Sequence, residues 1–421
     1  MGTFSTLIII MLVIAFLLRI DFIFYIIYIS IGVYAWARWY VPRSLGRLES
    51  ERIYRDHAFW GEIVPVDIRL RNPNRLPIPW LQVTESVAVQ LRQGQPVNQV
   101  ITLRPKETAT LSYQITARKR GYYQIGPLYL TSGDLFGMMP DRHAILPGQY
   151  LTVYPRIIPL TQLGLPSRLP FGTIASSQRL FADPARPAGV RNYRSGDSLR
   201  QINWKASAHT RNLMVKTYQP AISLETAVLL NLHQDDYQRP DRRRAIEWAI
   251  QTAASLAAHL IEQRQPVGLI SNGIDPLALS DTPEFDEGTG RLIRPANLPD
   301  APLPPEIPPR NGRAHLMKIL ERLARIESES TIPFVEWMTT AVFQLSWGVT
   351  ILIITARGTE PVCQAIHRLV RLGYNPILIT IEPDAQFAQV RERSRHLGFT
   401  AYNVIGLADM DIWRQPVGRG W

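Results

Sequence analysis

Residues 349–381 read VTILIITARGTEPVCQAIHRLVRLGYNPILITI. Val349 to Thr355 is a short, uniformly apolar run, the pattern of a strand buried on both faces. Pro361 to Leu372 then sets Val362, Cys363, Ile366 and Val370 along one side of a helix. Pro376 to Ile381 returns a second apolar strand. Strand, helix and strand joined by short connections form the repeating unit of a parallel sheet.

The same alternation extends outward in both directions. Downstream, Asp384 to Leu397 reads as a helix and Thr400 to Val404 as a last strand. Upstream, Ala227 to Leu232 and Pro266 to Ser271 read as strands. Between them, Asp241 to Gln263 repeats apolar residues at helical spacing (Ala245, Ile246, Ala249, Ala253, Leu256, Leu260). The expectation is an α/β doubly wound sheet over residues 221–410, with helices on both faces. One stretch interrupts it. Residues 273–311 hold nine prolines and read as an exposed, semi-extended insertion. Arg313 to Glu327 resumes as a helix packing Leu316, Ile319, Leu320 and Leu323.

Residues 49–155 have a different period. Ile63 to Leu70 alternates apolar and polar residues, and Asn72-Pro73-Asn74 makes a turn. Trp80 to Val89, Val100 to Leu103, Thr108 to Ala117 and Gly121 to Leu130 follow, with further turns at Gly133-Asp134 and Phe136-Gly137. Short strands at about 10-residue spacing point to an all-β, Ig-like sandwich. Before it, Phe4 to Leu18 and Phe22 to Ala37 are apolar runs separated by Arg19 and Asp21. Together with the aromatic belt Tyr34, Trp36, Trp39 and Tyr40, and Arg38, Arg43 and Arg47 beyond it, they read as a transmembrane helical hairpin over residues 1–48. The positive-inside rule then places Arg38, Arg43 and Arg47 in the cytoplasm, with a lipid bilayer as a first partner and the other domains facing the cytoplasm.

The 421 residues carry a net charge of +11, and a single cysteine excludes a disulfide framework. Cys363, on the apolar face of its helix, reads as a packed core thiol. The charge is local: residues 51–220 hold 22 Lys and Arg against 10 Asp and Glu. Such a block fits anionic lipid, nucleic acid, a protein partner, or an arginine-rich structural motif paired internally. Nucleic acid is the least favoured of these. The eight histidines are dispersed, with no H-E-x-x-H. Ser207, His209 and Asp197 are too close in sequence to argue a triad. No catalytic residue is assigned and no enzyme is expected.

The densest feature lies within residues 156–220, an Arg-rich linking segment. Residues 189–210 read GVRNYRSGDSLRQINWKASAHT. Ser195 to Ser198 is turn chemistry, Asp197 suits a helix start, and Ile202, Trp204 and Leu213 are expected as packing anchors. At Arg191, Tyr193, Gly196, Asp197, Arg200, Ile202, Asn203, Trp204, Lys205, Ser207 and Ala208 the chain resembles the bacterial family called domain of unknown function 58. His209 stands where that family usually has Arg.

The resemblance implies a membrane-anchored protein whose α/β domain is von Willebrand factor A-like. It further implies a non-enzymatic adaptor or scaffold in cell-envelope or assembly processes, working with a MoxR-type AAA+ ATPase and with other A-domain proteins. Arg191, Tyr193, Gly196, Asp197, Arg200, Asn203, Trp204 and Lys205 are then either a domain seam or the partner-facing surface. Some A domains hold a divalent metal, a metal-dependent adhesion module being one alternative. Here Asn231 replaces the first carboxylate, and His233 and Asp235 replace the serines. Losing that charge from a hard-cation site argues for a degenerate site with no metal and no cofactor. Residues 411–421 read as a tail.

Overall fold

The structure, a computed structural model, describes residues 3–18, 21–92, 97–133, 142–160, 182–194, 202–220, 225–278, 284–285, 292–293 and 303–410. The chain divides into two units. One comprises Met1–Arg156 with Pro276–Pro299, the other Ile157–Asp275 with Asp300–Trp421.

The first unit opens with helices α1 (Thr3–Leu18) and α2 (Asp21–Gly46). The expected transmembrane hairpin is corrected here: among the described residues no helix is long and apolar enough to cross a membrane. The 16 residues of α1 reach about 24 Å, short of a ~30 Å hydrocarbon core. In α2 the apolar run passes into Trp36, Trp39, Tyr40 and Arg43, and its end is committed to protein. Leu45 is buried in a cluster with Ile68, Leu70, Ile78 and Leu128. The Tyr40 hydroxyl donates to the Pro77 carbonyl, and Arg43 caps the Trp39 carbonyl at 3.1 Å.

The strands of this unit are β1 (Glu49–Ile53), β2 (His57–Ala58), β3 (Ile63–Arg71), β4 (Ile78–Val87), β5 (Asn98–Leu103), β6 (Thr108–Thr116), β7 (Gly121–Ser132), β8 (Arg142–Leu146) and β9 (Gln149–Val153). They form two sheets, β1-β3-β6 and β2-β9-β7-β4-β5, with β8 beside β7. The alternation read in residues 63–70 is the pleat of β3: Val64, Val66, Ile68 and Leu70 are buried while Ile63, Asp67 and Arg69 are not. Val64 and Val66 meet Tyr123, Ile125, Leu151 and Val153 of the other sheet in one core. The turn after β3 is held by the Asn72 side chain, whose amide nitrogen donates to the Leu76 carbonyl at 3.0 Å and whose oxygen accepts from the Asn74 N–H at 3.1 Å.

In the second unit β10 (Ala182–Asn192), α3 (Trp204–Thr210) and β11 (Met214–Pro220) form a small substructure. The α/β sheet follows with β12 (Thr226–Leu230), α4 (Arg242–Glu262) and β13 (Val267–Ser271). Two short strands of the first unit, β14 (Glu284–Phe285) and β15 (Leu292–Ile293), come next in the chain. Then come β16 (Ile307–Arg310), α5 (Arg313–Arg325), α6 (Phe334–Ala341), β17 (Thr350–Thr355), α7 (Glu360–Arg371), β18 (Asn375–Thr380), α8 (Phe387–His396) and β19 (Thr400–Asn403). The sheet order is β16-β13-β12-β17-β18-β19. All pairings in it are parallel except β16, which runs antiparallel to β13.

Every residue of β12 is buried. Ala227, Leu229, Ile351 and Ile353 join Trp337 of α6 and Ile366 of α7 in one core. Val228, Leu230, Leu352 and Ile354, equally buried, alternate to the opposite face, and α4 packs on β12, β13 and β17. Two faces are thus covered, which is why these strands read as continuous apolar runs.

The Pro-rich insertion is more than a spacer. Its residues 307–310 are the edge strand β16, with Val267 opposite Arg310 and Leu269 opposite Ile307. Phe285 of β14 stacks on Tyr150 with ring centres 5.3 Å apart. Proline lacks an N–H, so Pro308 and Pro309 are tolerable only on an edge such as this.

Candidate functional site

Two places concentrate polar chemistry. The first is the C-terminal edge of the parallel sheet, where the strand order reverses between β12 and β17; ligands of open α/β sheets bind at such a point. Asn231 follows β12 there and is fully buried. Its side-chain nitrogen donates to Asp236 Oδ2 at 2.8 Å and to Thr355 Oγ1 at 3.0 Å. Its side-chain oxygen accepts from the His233 N–H and from Asn272 Nδ2, both at 3.0 Å. An amide has two donors and two acceptor sites, so this one is saturated. Asn272, equally buried, accepts the Leu232 N–H at 2.6 Å.

The Asn231 nitrogen thus lies between a carboxylate and a hydroxyl, two hard oxygens of the kind a divalent cation selects. It supplies two hydrogen bonds where a cation would supply charge. Among the described residues no group of three or more His, Cys, Asp and Glu is placed to share a metal. His233 Nε2 is 3.8 Å from Asp235 Oδ2, and His233 Nδ1 is buried with no hydrogen-bond partner among the described residues. Asp235 turns outward. Ser330 donates to it at 2.6 Å, and that hydroxyl, aided by nearby His233, Arg242 and Arg239, holds its carboxyl below the ordinary carboxylate range.

The second place is the substructure of β10, α3 and β11. The strands pair with Val190 opposite Lys216, Arg191 opposite Val215 and Asn192 opposite Met214. The Tyr193 N–H donates to the Leu213 carbonyl at 2.8 Å and the Asn203 N–H to the Met214 carbonyl at 2.8 Å. Asn203 is also the N-cap of α3: its side-chain oxygen accepts from the Ala206 N–H at 3.2 Å. Ser207 Oγ accepts the Met214 N–H at 2.8 Å and donates to the Asn203 carbonyl at 2.9 Å. Asn203 and Ser207 therefore fasten the helix to the strand.

The outer side chains are a different matter. Ile202 and Val215 are buried, and their backbones pair in an isolated antiparallel bridge. Trp204, expected as a packing anchor, is instead 68% exposed, and Leu213 is 48% exposed. Arg191 and Lys205 are exposed and Tyr193 is half-buried. Within the motif, Asn203 and Ser207 hold the fold while Trp204 and Lys205 face outward. Gly196, Asp197 and Arg200 lie outside the described residues, as do Asp134, Phe136, Gly137 and residues 411–421. Asn203 is a favoured cap residue type, but no apolar period follows it to mark the start of a helix.

With this geometry in hand, residues 189–303 match the family model described as "Protein of unknown function DUF58", starting at the glycine of the motif. A curated relative, the "Uncharacterized protein YeaD" of Bacillus subtilis (strain 168), is 23% identical over 217 residues, which are 51% of this chain and 52% of the relative. The chain thus spans about half the length of that relative. Both findings support the resemblance carried by the motif. Among solved structures, the CARDB domain of the PF1109 protein from Pyrococcus furiosus is 17% identical and covers 25% of this chain and 91% of that one, at a TM-score of 0.18. A beta-glucosidase from Listeria innocua is 12% identical, covering 25% of this chain and 16% of the enzyme, also at 0.18. At such TM-scores neither likeness carries an argument.

Proposed function

We propose that the chain is a non-enzymatic adaptor that docks a partner protein on the β10–α3–β11 substructure, the partner being an AAA+ ATPase of the MoxR type. The observation that carries this reading is Trp204, 68% exposed on a helix whose first turn is pinned by Asn203 and Ser207. Large aromatic side chains on a rigid support are the residues that dominate protein interfaces, because little entropy is lost when they bind. The choice of ATPase comes from the family resemblance, which the match at residues 189–303 supports.

The α/β unit supports the same reading as a von Willebrand factor A-like domain. Its strand order, with the antiparallel strand β16 at one edge, is the arrangement expected of such a domain. The buried amides of Asn231 and Asn272 are committed to each other and to Leu232, His233, Asp236 and Thr355, which favours recognition by surface shape over chemistry at that edge. The test replaces Trp204 with a photoreactive phenylalanine analogue in the full chain and adds a MoxR-type ATPase. A crosslink from position 204 is expected. Crosslinks only from positions remote from the motif would sink the proposal.

A further inference from the structure

Resting on that reading, we infer that the docking surface selects an acidic polypeptide segment that alternates carboxylates with apolar side chains, such as an exposed Glu- and aromatic-rich strand or loop of the partner. Residues 189–194 and 202–216 contain Arg191, Arg194, Lys205, Arg211 and Lys216 and not one Asp or Glu. All five cations are exposed. Three large apolar side chains are exposed among them: Val190, Trp204 and Leu213.

Their arrangement narrows the ligand. Val190 lies directly across the strand pair from Lys216, so the two share a face of the hairpin, and Trp204 adjoins Lys205 in α3. An exposed apolar residue thus sits beside a cation twice, across the strand pair and along α3. A lipid surface selects the opposite pattern, apolar residues gathered on one face and cations on its border. A nucleic acid needs a track of stacking aromatics with phosphate donors. Here the exposed apolar groups other than Trp204 are aliphatic. Two of the backbone donors at the helix start are already engaged, the Ala206 N–H on Asn203 Oδ1 and the Ser207 N–H on the Asn203 carbonyl, which reduces what the main chain could offer a phosphate. Arg and Lys side chains pair equally well with carboxylates, and a carboxylate-bearing polypeptide brings the apolar groups that Val190, Trp204 and Leu213 would contact.

The test uses the full chain and defined probes: a random copolymer of glutamate and tyrosine, polyglutamate of equal length, single-stranded oligodeoxythymidylate, and vesicles containing phosphatidylserine. The readout is the ratio of wild-type affinity to that of Trp204→Ala and of Lys216→Glu, so that binding elsewhere on the chain cancels. Both positions are exposed, and an unchanged melting temperature shows that the variants fold. The glutamate–tyrosine copolymer is expected to bind at least tenfold tighter than polyglutamate. Trp204→Ala should weaken the copolymer at least tenfold and polyglutamate little, and Lys216→Glu should weaken both. The inference is overturned if the copolymer binds no better than polyglutamate, or if the Trp204-dependent ligand is the oligonucleotide or the vesicle. A partner protein that crosslinks to position 204 while the copolymer fails to bind would overturn the acidic-segment inference and leave the adaptor proposal standing. Loss of the crosslink removes the adaptor proposal itself.

Discussion

Asn231 and Thr355 meet across the two central strands of the α/β sheet, the amide nitrogen of one donating to the hydroxyl of the other at 3.0 Å while it also donates to Asp236 at 2.8 Å. The amide occupies a position between two hard oxygens without bringing charge. Replacing it by the isosteric Asn231→Asp turns two donors into acceptors and sets two carboxylates at hydrogen-bond distance, where both cannot ionise. The variant is expected to lose about 3–5 kcal/mol in the presence of a chelator, and Mg²⁺ or Mn²⁺ should restore part of its melting temperature. The wild type should be insensitive to either ion. A variant that melts like the wild type and ignores both ions would contradict this account of the amide.

A second prediction concerns the β-sheets of the first unit. Arg52 Nη2 and Glu85 Oε1 are 2.8 Å apart with neither side chain exposed. Burial pushes the Glu85 carboxyl from 4.5 up to about 7, against the pull of Arg52. The neighbouring phenols of Tyr54 and Tyr113 are also raised by burial and stay neutral over this range. A carboxyl with a raised folded-state pKa holds its proton more tightly folded than unfolded. Its contribution is therefore fully present below about 4.5 and is lost as pH rises through about 7. The stability difference between wild type and Glu85→Gln, followed by denaturant unfolding, should shift against the wild type across that window. A shift in favour of the wild type would mean that Arg52 outweighs burial.

Ser207 supplies a third. Its hydroxyl takes the Met214 N–H and gives a hydrogen bond to the Asn203 carbonyl, joining α3 to β11. Ser207→Ala leaves a backbone donor without its partner and should cost about 1–3 kcal/mol. Hydrogen exchange at Met214 and Ala206 should quicken before that of β12. Unchanged exchange at Met214 would show that the strand pair holds the helix without Ser207.

The single thiol offers a fourth. Cys363 has no exposure and packs with Val362, Ile366 and Leu369, and burial raises its pKa. A neutral, inaccessible thiol does not react. Ellman's reagent should modify the native chain negligibly and the chain in denaturant stoichiometrically. Rapid modification of the native chain would place the thiol at the surface.

What could be read from the sequence followed from how cleanly burial is written into a stretch. Ile63 to Leu70 alternates because one face of β3 is buried, and Asp241 to Gln263 reads as a helix because α4 buries one side in its first turns and every residue from Thr252 to Ile261. The pattern fails where an element buries little. The seven residues of α3 include none that is buried, so no period marks them. The strand β16 is hidden by Pro308 and Pro309, which are strand breakers everywhere except at an edge. The apolar runs at the N-terminus were legible as helices but not as to what they pack against, since Leu45 and Tyr40 reveal their commitment to the β-sheets only in three dimensions.

The sites show the same division. The residue types around Asn231 were visible, but its bond to Thr355 spans 124 positions and no local pattern announces it. The exposure of Trp204 is not legible for a simpler reason: hydrophobicity argues that a side chain prefers to be covered, and does not say whether its own chain or another one covers it.

The central claim is that the motif separates into residues that hold the substructure and a tryptophan that meets a partner. Its most direct test is to compare Trp204→Ala with the wild type in thermal unfolding and in affinity for the MoxR-type ATPase on the same samples. The account predicts an unchanged melting temperature, because a largely exposed side chain contributes little to folding, together with at least a tenfold loss of binding. A lowered melting temperature with binding retained would contradict it and make Trp204 part of the packed structure.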